Sequence, residues 1–167
     1  MQNPDGMTTT PSEIDTVLKL LAATPRRLAS MSRGREASRL QARPGDEAWS
    51  PNEILGHLRV CADVWGKSMM AMITQDHPTM RYVSPRSRLK KTNYLELDFH
   101  QSLKAFAQQR QELLKVLKGL ARQDWSRGAT FTATTRGREQ TVLSYAWRIA
   151  QHEGEHLEQL EAVLKEA

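Results

Sequence analysis

The chain has 167 residues and carries 24 Lys and Arg against 19 Asp and Glu, a formal net charge of +5. That length fits one domain with one hydrophobic core, and 39% hydrophobic residues exclude a chain that is disordered throughout. The single cysteine, Cys61, excludes an internal disulfide and is typical of a reducing compartment. The sequence has neither an apolar run of about 18 residues nor the pattern of a signal peptide, so we expect a cytoplasmic protein that does not cross a membrane.

Two stretches with helical periodicity occupy the first half of the chain. In the first, Ser12 is a candidate N-cap with Asp15 three residues later, and we expect Pro25 to kink or interrupt the helix because it lacks an N–H. The second begins with the capping box Ser50–Glu53 (SPNE), in which Pro occupies the first helical position. Its apolar stripe predicts a helix that continues to about Thr74.

Two further amphipathic helices are predicted in the second half. One runs from about Asn93 to Gly119 with apolar residues at alternating steps of three and four, which is the pattern of a bundle helix. The other starts near Thr141 and continues to the end of the sequence. Together with the first two, these helices predict an all-α fold, a four-helix bundle.

The connections between the predicted helices are uneven. Residues 75–92 form a connection longer than an antiparallel hairpin needs, which predicts a long crossover between the second and third helices. Before the fourth helix, the Thr-rich residues 129–142 predict a short hairpin. We find no repeat or linker that divides the chain, so residues 1–11 are predicted to be a flexible tail and residues 12–167 a single domain.

Three of the five histidines are predicted to face one interior. In the fourth helix His152 and His156 are four residues apart, which puts them on one face at a spacing that suits two ligands of one metal ion. His57 lies on the inward face of the second helix. Neutral imidazoles suit zinc, nickel, cobalt, copper or iron, and three of them leave a coordination position open for catalysis. The sequence therefore predicts a divalent-metal site with these three histidines as ligands.

Other residues near this predicted site have alternative interpretations. Each histidine is otherwise a hydrogen-bonded core residue without a metal. Cys61, one turn after His57, is either a fourth ligand that closes the site or a small apolar core residue. Glu53, one turn before His57, either orients it or acts as a general base, or serves only in the capping box. His77 and His100 have no ligand spacing and are interpreted as surface residues.

Two residues on inward faces are candidates for substrate contacts. Tyr145 lies on the histidine face of the fourth helix, where it either lines a substrate cavity or belongs to the core. Arg110 interrupts the apolar stripe of the third helix, where it either pairs with an anionic group of a substrate or extends to the bundle edge. The sequence leaves both alternatives open for each residue.

Residues 152–156 also match the pattern H-E-x-x-H of zinc proteases. Those enzymes take a third ligand from downstream, but the positions at which an extended motif would continue hold Gln159 and Ala162. Glu153 also points about 80° away from the mean direction of the two histidines. The sequence therefore argues against a protease.

A cluster of basic residues in the connection 75–92 raises the question of nucleic-acid binding; it comprises Arg81, Arg86, Arg88, Lys90 and Lys91. Only Tyr82 accompanies this cluster, and no nucleic-acid recognition motif is present. We therefore interpret the cluster as a solvated loop, one that could meet an anionic thiol, and expect no nucleic-acid partner.

With these features the chain resembles the DinB-like superfamily of small metal-binding four-helix proteins. The resemblance rests on Trp49–Leu58 (WSPNEILGHL), which is similar to that family's tryptophan-serine start and following histidine. It rests also on the segment His152–Leu157 near the C-terminus. In the order and spacing of elements it extends over about residues 12–164.

The resemblance implies a bundle with a long crossover after the second helix, a homodimer, and a divalent metal, zinc or nickel, held by His57, His152 and His156. Relatives include thiol transferases and isomerases that use a low-molecular-weight thiol. This implies an enzyme, a transferase or hydrolase, that activates water or such a thiol toward a small-molecule substrate. Because many relatives have no assigned reaction, a metal-binding or stress-associated protein without turnover is the alternative.

Overall fold

The computed structural model describes residues 9–135 and 137–166. Four long helices run through it, α1 (Pro11–Ser32), α3 (Pro51–Thr74), α5 (Phe99–Lys118) and α6 (Val142–Glu166). Shorter segments join them, namely α2 (Ala37–Gln41), α4 (Pro85–Leu89) and two 3-10 turns at Tyr94–Glu96 and Arg122–Ser126. Because α1 and α3 each pack against both α5 and α6, the long helices form the predicted four-helix bundle. None of the described helices combines the length and the hydropathy that a membrane span requires.

A small three-stranded sheet accompanies the bundle. β1 (Thr79–Arg81) pairs in parallel with β2 (Gly128–Thr132), and β2 pairs antiparallel with β3 (Glu139–Thr141). β2 and β3 fall in the region where the sequence predicted a hairpin. β1 was not predicted, because a strand of three residues is too short to show an alternating pattern. The fold is therefore mostly helical with a small sheet, and the prediction of an all-α fold is corrected in this respect.

The first helix begins earlier than the sequence predicted. Thr10, and not Ser12, is the N-cap: its hydroxyl accepts a hydrogen bond from the Glu13 N–H, and the Glu13 carboxylate accepts one from the Thr10 N–H. This reciprocal capping box satisfies two N–H groups at the helix start. Thr10 and Pro11 thus belong to the start of α1, whereas residues 1–8 of the predicted tail lie outside the described residues.

Of the two effects predicted for Pro25, a kink or an interruption, the interruption does not occur, because α1 continues to Ser32. Proline lacks the N–H that would bond to the carbonyl four residues earlier, which here is the carbonyl of Leu21. That carbonyl instead accepts a hydrogen bond of 2.8 Å from Nη1 of Arg110 in α5. A side chain from the neighbouring helix therefore replaces the missing helical hydrogen bond, and this keeps the buried carbonyl satisfied.

The observed ends of the next two long helices, α3 and α5, differ in how closely they match the ends predicted from the sequence. α3 starts with the predicted capping box Ser50–Glu53 and ends at the predicted Thr74. α5 starts at Phe99 rather than near Asn93, because the Asp98 carboxylate caps it by accepting hydrogen bonds from N–H groups of its first turn. The capping box thus predicted the start of α3 correctly. Apolar periodicity alone predicted a start of α5 that was too early, because it included a separate 3-10 turn in the helix.

A layer of polar side chains divides the hydrophobic core into two clusters. One cluster surrounds Trp65 and Trp125, and the other surrounds Phe99 and Phe106. Along α1, α5 and α6 the residues change from one cluster to the other at polar side chains, which are Thr24, Arg110, His152, Glu153 and His156. On α3 the change comes one turn after His57, whose ring contacts those of His152 and His156. The bundle therefore holds its polar groups together in one internal layer.

A candidate three-histidine metal centre

The ring nitrogens of three histidines converge in this polar layer. His57 comes from α3, and His152 and His156 come from successive turns of α6. The Nε2 atom of His152 lies 3.1 Å from Nε2 of His57 and 3.1 Å from Nε2 of His156. Candidate ligand atoms of the three residues all lie within 4.8 Å of one another. The fold thus brings together the three residues that the sequence selected.

The convergent nitrogens fit a divalent metal ion better than a network of hydrogen bonds. In a neutral imidazole Nε2 carries either one hydrogen to donate or one lone pair to accept. Nε2 of His152 can therefore form a hydrogen bond with Nε2 of His57 or with Nε2 of His156, but not with both, although each lies 3.1 Å away. A tetrahedral zinc ion with Zn–N bonds of about 2.0–2.1 Å places its ligand nitrogens roughly 3.3 Å apart. A cation is therefore the partner that satisfies all three nitrogens at once.

Burial keeps two of the imidazoles in their neutral form. Desolvation, with smaller effects of His156 and Arg86, lowers the pKa of His57 to about 4. Desolvation, with smaller effects of His156, His57 and Arg148, lowers the pKa of His152 to about 3. Neutral imidazole is the form that binds a metal ion, so neither side chain has to release a proton on binding at pH 7.

The other ring nitrogens show how the imidazoles are held. Nδ1 of His156 lies 2.7 Å from Oε1 of Gln159, so Nδ1 donates and Nε2 keeps its lone pair toward the cluster. Nδ1 of His152 is buried and has no hydrogen-bond partner among the described residues. Nδ1 of His57 lies 4.0 Å from Sγ of Cys61. Sequence reasoning missed the role of Gln159, although its spacing of three residues from His156 is a readable signal.

Two tryptophans cover the histidine cluster. The ring of Trp49 lies 5.1 Å from that of His57 and stacks on His156 at 6.0 Å. The ring of Trp65 packs edge-on against His152 with the centroids 4.8 Å apart. These large rings fix the imidazole planes and restrict the access of water to the nitrogens. Trp49 is part of the motif that carries the resemblance, whereas sequence reasoning gave Trp65 no functional role.

Cys61 and Glu53 are both one turn from His57 but differ in their contacts. Cys61 is buried with Sγ 3.5 Å from Nε2 of His57, and burial raises the pKa of its thiol to about 12. It lies outside the group of convergent ligands that the three histidines form. The Glu53 carboxylate accepts a hydrogen bond of 2.8 Å from the Ser50 N–H and forms an ion pair with Arg43. These contacts are those of a helix cap.

Arg110 takes neither of the roles that the sequence offered. Its side chain is 2% exposed and forms a two-point ion pair with Glu153 instead of reaching the bundle edge or remaining free for a substrate. Oε2 of Glu153 also accepts a hydrogen bond of 2.8 Å from the Thr24 hydroxyl. Because both carboxylate oxygens of Glu153 are engaged, this residue is not free to act as the general base of an H-E-x-x-H site.

Tyr145 is a core residue that also lines a cleft of about 1030 Å³. Its ring stacks on that of Phe131 with the centroids 5.3 Å apart. The cleft lies between α3, α5 and the segment 80–94, and Trp65 and Tyr82 are among its aromatic lining residues. Because Trp65 also contacts His152, a single side chain joins the cleft to the histidine cluster.

The two remaining histidines are exposed and take no part in the cluster. His77 lies 3.0 Å from the Glu139 carboxylate beside the sheet, and His100 packs on Phe99 at the start of α5. The basic cluster that the sequence assigned to a solvated loop is exposed but lies partly in regular structure, with Arg81 in β1 and Arg86 and Arg88 in α4. The guanidinium of Arg86 lies over the ring of Trp49 at 5.8 Å, so this residue reaches the edge of the histidine cluster.

A four-helix bundle with three converging histidines from two helices defines a class of small helical proteins with a candidate metal centre. A sequence profile of the DinB superfamily matches residues 9–160, and the chain belongs to that superfamily. A search of curated proteins finds no match. The solved structure of YfiT from Bacillus subtilis is similar, with a TM-score of 0.83, 16% identity, and coverage of 98% of this chain and 92% of that one. YfiT is described as a probable metal-dependent hydrolase with an unusual four-helix bundle topology.

Proposed function

We propose that this protein is a metal-dependent enzyme in which His57, His152 and His156 hold a divalent cation, zinc or nickel. The observation that carries the proposal is the pair of 3.1 Å contacts between their Nε2 atoms, which hydrogen bonds alone cannot satisfy. The description of YfiT as a probable metal-dependent hydrolase supports the same class of function. The proposed reaction is hydrolysis, or transfer of a low-molecular-weight thiol, on a small-molecule substrate.

The side chains around the cluster support this chemistry in distinct ways. The depressed pKa values of His57 and His152 provide neutral ligands, and Gln159 orients His156 through its Nδ1–H. A bound divalent cation would supply Lewis-acid activation of a water molecule or a thiol near neutral pH. Trp49 and Trp65 pack on the histidines and limit the water around them, so a substrate that binds at the cluster would displace little bulk water.

An open coordination position favours an enzyme over a closed structural site. A closed site would take a fourth protein ligand, and Cys61 is the candidate that the sequence offered. Its thiol is buried and lies outside the convergent group of ligands. Three protein ligands with an adjoining cleft are typical of catalytic sites.

Elemental analysis of the purified protein tests the metal site. We expect one zinc or nickel ion per chain in the wild type and in His100→Ala, a control that removes an exposed histidine. We expect His57→Ala and His152→Ala to lose it. Stoichiometric metal in both of these variants would contradict the three-histidine ligand set.

A reaction screen with the metal-loaded protein then tests catalysis. The protein is incubated with activated esters and amides in water, and with electrophiles in the presence of low-molecular-weight thiols. We expect turnover in one of these sets that His152→Ala abolishes. Stoichiometric metal without turnover in either set would support the alternative, a metal-binding or stress-associated protein.

The remaining proposals concern the setting of the protein. By the resemblance to DinB-like proteins we propose a cytoplasmic homodimer that acts on a small molecule and binds neither nucleic acid nor membrane. Light scattering after size-exclusion chromatography measures the mass in solution. A monomer mass over the whole micromolar range would contradict the dimer.

A further inference from the structure

Arg148 lies beside the histidine cluster in a position that the proposed metal chemistry does not explain. It precedes His152 by four residues on α6, so the two side chains are neighbours on one helix face. Its guanidinium carbon lies 5.2 Å from the ring centroid of Trp65, 5.7 Å from that of Tyr82 and 5.7 Å from that of Tyr145. All three rings line the cleft of about 1030 Å³. The guanidinium therefore packs on three rings of the cleft wall, next to a candidate metal ligand, while Arg148 itself is not among the residues that line the cleft.

The half-buried guanidinium of Arg148 has no anionic partner and no hydrogen-bond acceptor among the described residues. Other arginines that are shielded from solvent have such partners: Arg110 pairs with Glu153, and Arg127 donates to two backbone carbonyls. A guanidinium that stacks on aromatic rings still has its in-plane N–H groups free to donate. The N–H donors of Arg148 are thus not occupied by any of the described residues and remain available to a ligand.

The charges around the cluster favour an anion at this place. The three histidines supply no negative charge, and Glu153, the one buried acidic residue among those described, is neutralised by Arg110. The cleft is also lined by Glu112 and by Asp63, whose carboxylate accepts hydrogen bonds from Tyr94 and Gln109. A divalent cation beside an unpaired guanidinium leaves a strongly positive site, which an anionic ligand group would balance.

We propose that Arg148 binds an anionic group, such as a carboxylate, of a small-molecule substrate whose apolar body lies in the cleft against Trp65, Tyr82 and Tyr145. This inference rests on the proposed function, because it names the class of substrate for the same site. The cleft lining supports it, since Met80, Leu113 and Val116 add apolar surface beside the three rings. The ligand contact thus divides into a charged part at Arg148 and an apolar part in the cleft.

Binding of a matched pair of probes tests the inference. The probes are 1-naphthaleneacetate and its neutral amide, which share the aromatic body and differ in the anionic group. Isothermal titration calorimetry measures both dissociation constants at pH 7.5, once with metal-loaded protein and once after removal of the metal with a chelator. We expect the wild type to bind the acid about tenfold more tightly than the amide in both forms.

Three variants test whether Arg148 causes the preference for the acid over the amide. Arg148→Gln should bind the acid and the amide equally, with the affinity for the amide unchanged. Arg148→Lys keeps the charge and should retain part of the preference, which also guards against a glutamine variant that fails to fold. Arg26→Gln removes an exposed arginine of α1 and should behave as the wild type does.

The outcomes separate this inference from the proposed function. The inference would be overturned if the wild type did not bind the acid at millimolar concentration or bound the acid and the amide equally. It would also be overturned if Arg148→Gln kept the preference of the wild type. A preference that depends on Arg148 in the chelator-treated form supports it even if the protein binds no stoichiometric metal, in which case only the proposed function fails. A preference found only in the metal-loaded form would mean that the carboxylate of the probe binds the metal ion, and this would overturn the role proposed for Arg148.

Discussion

The guanidinium of Arg110 and the carboxylate of Glu153 form a two-point ion pair in the centre of the bundle, and both side chains are almost completely buried. Arg110 also donates to the Leu21 carbonyl that Pro25 leaves without a helical partner. One side chain of α5 is therefore linked to α1 and α6 at the level of the histidine cluster.

Breaking this ion pair is expected to destabilise the protein strongly. Glu153→Ala leaves the guanidinium of Arg110 buried and unpaired, so the free energy of unfolding should fall by about 3–5 kcal/mol. Urea denaturation measures the change. The double variant Arg110→Met/Glu153→Leu removes both charges and should recover part of the loss, although the Leu21 carbonyl still lacks its partner. A double variant less stable than Glu153→Ala would contradict this explanation.

The hydrogen bond from His156 to Gln159 is expected to contribute to metal affinity. Gln159→Ala removes the group that fixes the ring orientation of His156, and loss of such outer contacts typically weakens metal binding by about 10–100-fold. Competition with a chromophoric chelator measures the dissociation constant. Gln151→Ala removes an exposed glutamine of the same helix and should leave the affinity unchanged. Equal affinities for the two variants would show that Gln159 does not support the ligand.

The stability of the metal-free protein is expected to depend on pH through His57 and His152. Their pKa values are near 4 and 3 in the folded chain and 6.5 in the unfolded chain, so between these values the unfolded chain binds more protons. The free energy of unfolding should therefore be unaffected by these groups above pH 6.5 and fall as the pH drops toward 4. At pH 5 we expect a loss on the order of 2 kcal/mol or more.

Denaturation of the chelator-treated protein at several pH values measures this dependence. The variant His57→Gln/His152→Gln lacks both titrating groups and should show a shallower decline between pH 6.5 and 4. An equally steep decline in this variant would assign the effect to other residues.

Glu53 is expected to affect stability and not metal binding. Its carboxylate closes the capping box with Ser50, so Glu53→Ala, which leaves no acceptor for the Ser50 N–H, should cost about 1 kcal/mol of unfolding free energy. Elemental analysis of Glu53→Ala should show the metal content of the wild type. Loss of metal with little change in stability would instead indicate that Glu53 orients His57.

Local signals in the sequence predicted much of the bundle. The capping box Ser50–Glu53 and the apolar stripe that follows it located both ends of α3, because capping and periodicity depend only on neighbouring residues. The spacing of His152 and His156 likewise put both on one helix face. The short strand β1 and the cap of α5 by Asp98 were missed, because their sequence signals are weak or compete with helical periodicity.

The sequence by itself determined the helical class, the two-histidine spacing and the family resemblance, because these follow from local periodicity and short motifs. Only the tertiary structure decided that His57 meets the α6 pair at 3.1 Å and that Arg110 satisfies both Glu153 and the carbonyl freed by Pro25. It also places Arg148 against rings of the cleft wall with no anionic partner among residues 9–135 and 137–166. These contacts join residues far apart in the chain, and whether a buried polar group is satisfied depends on which helices the fold places side by side.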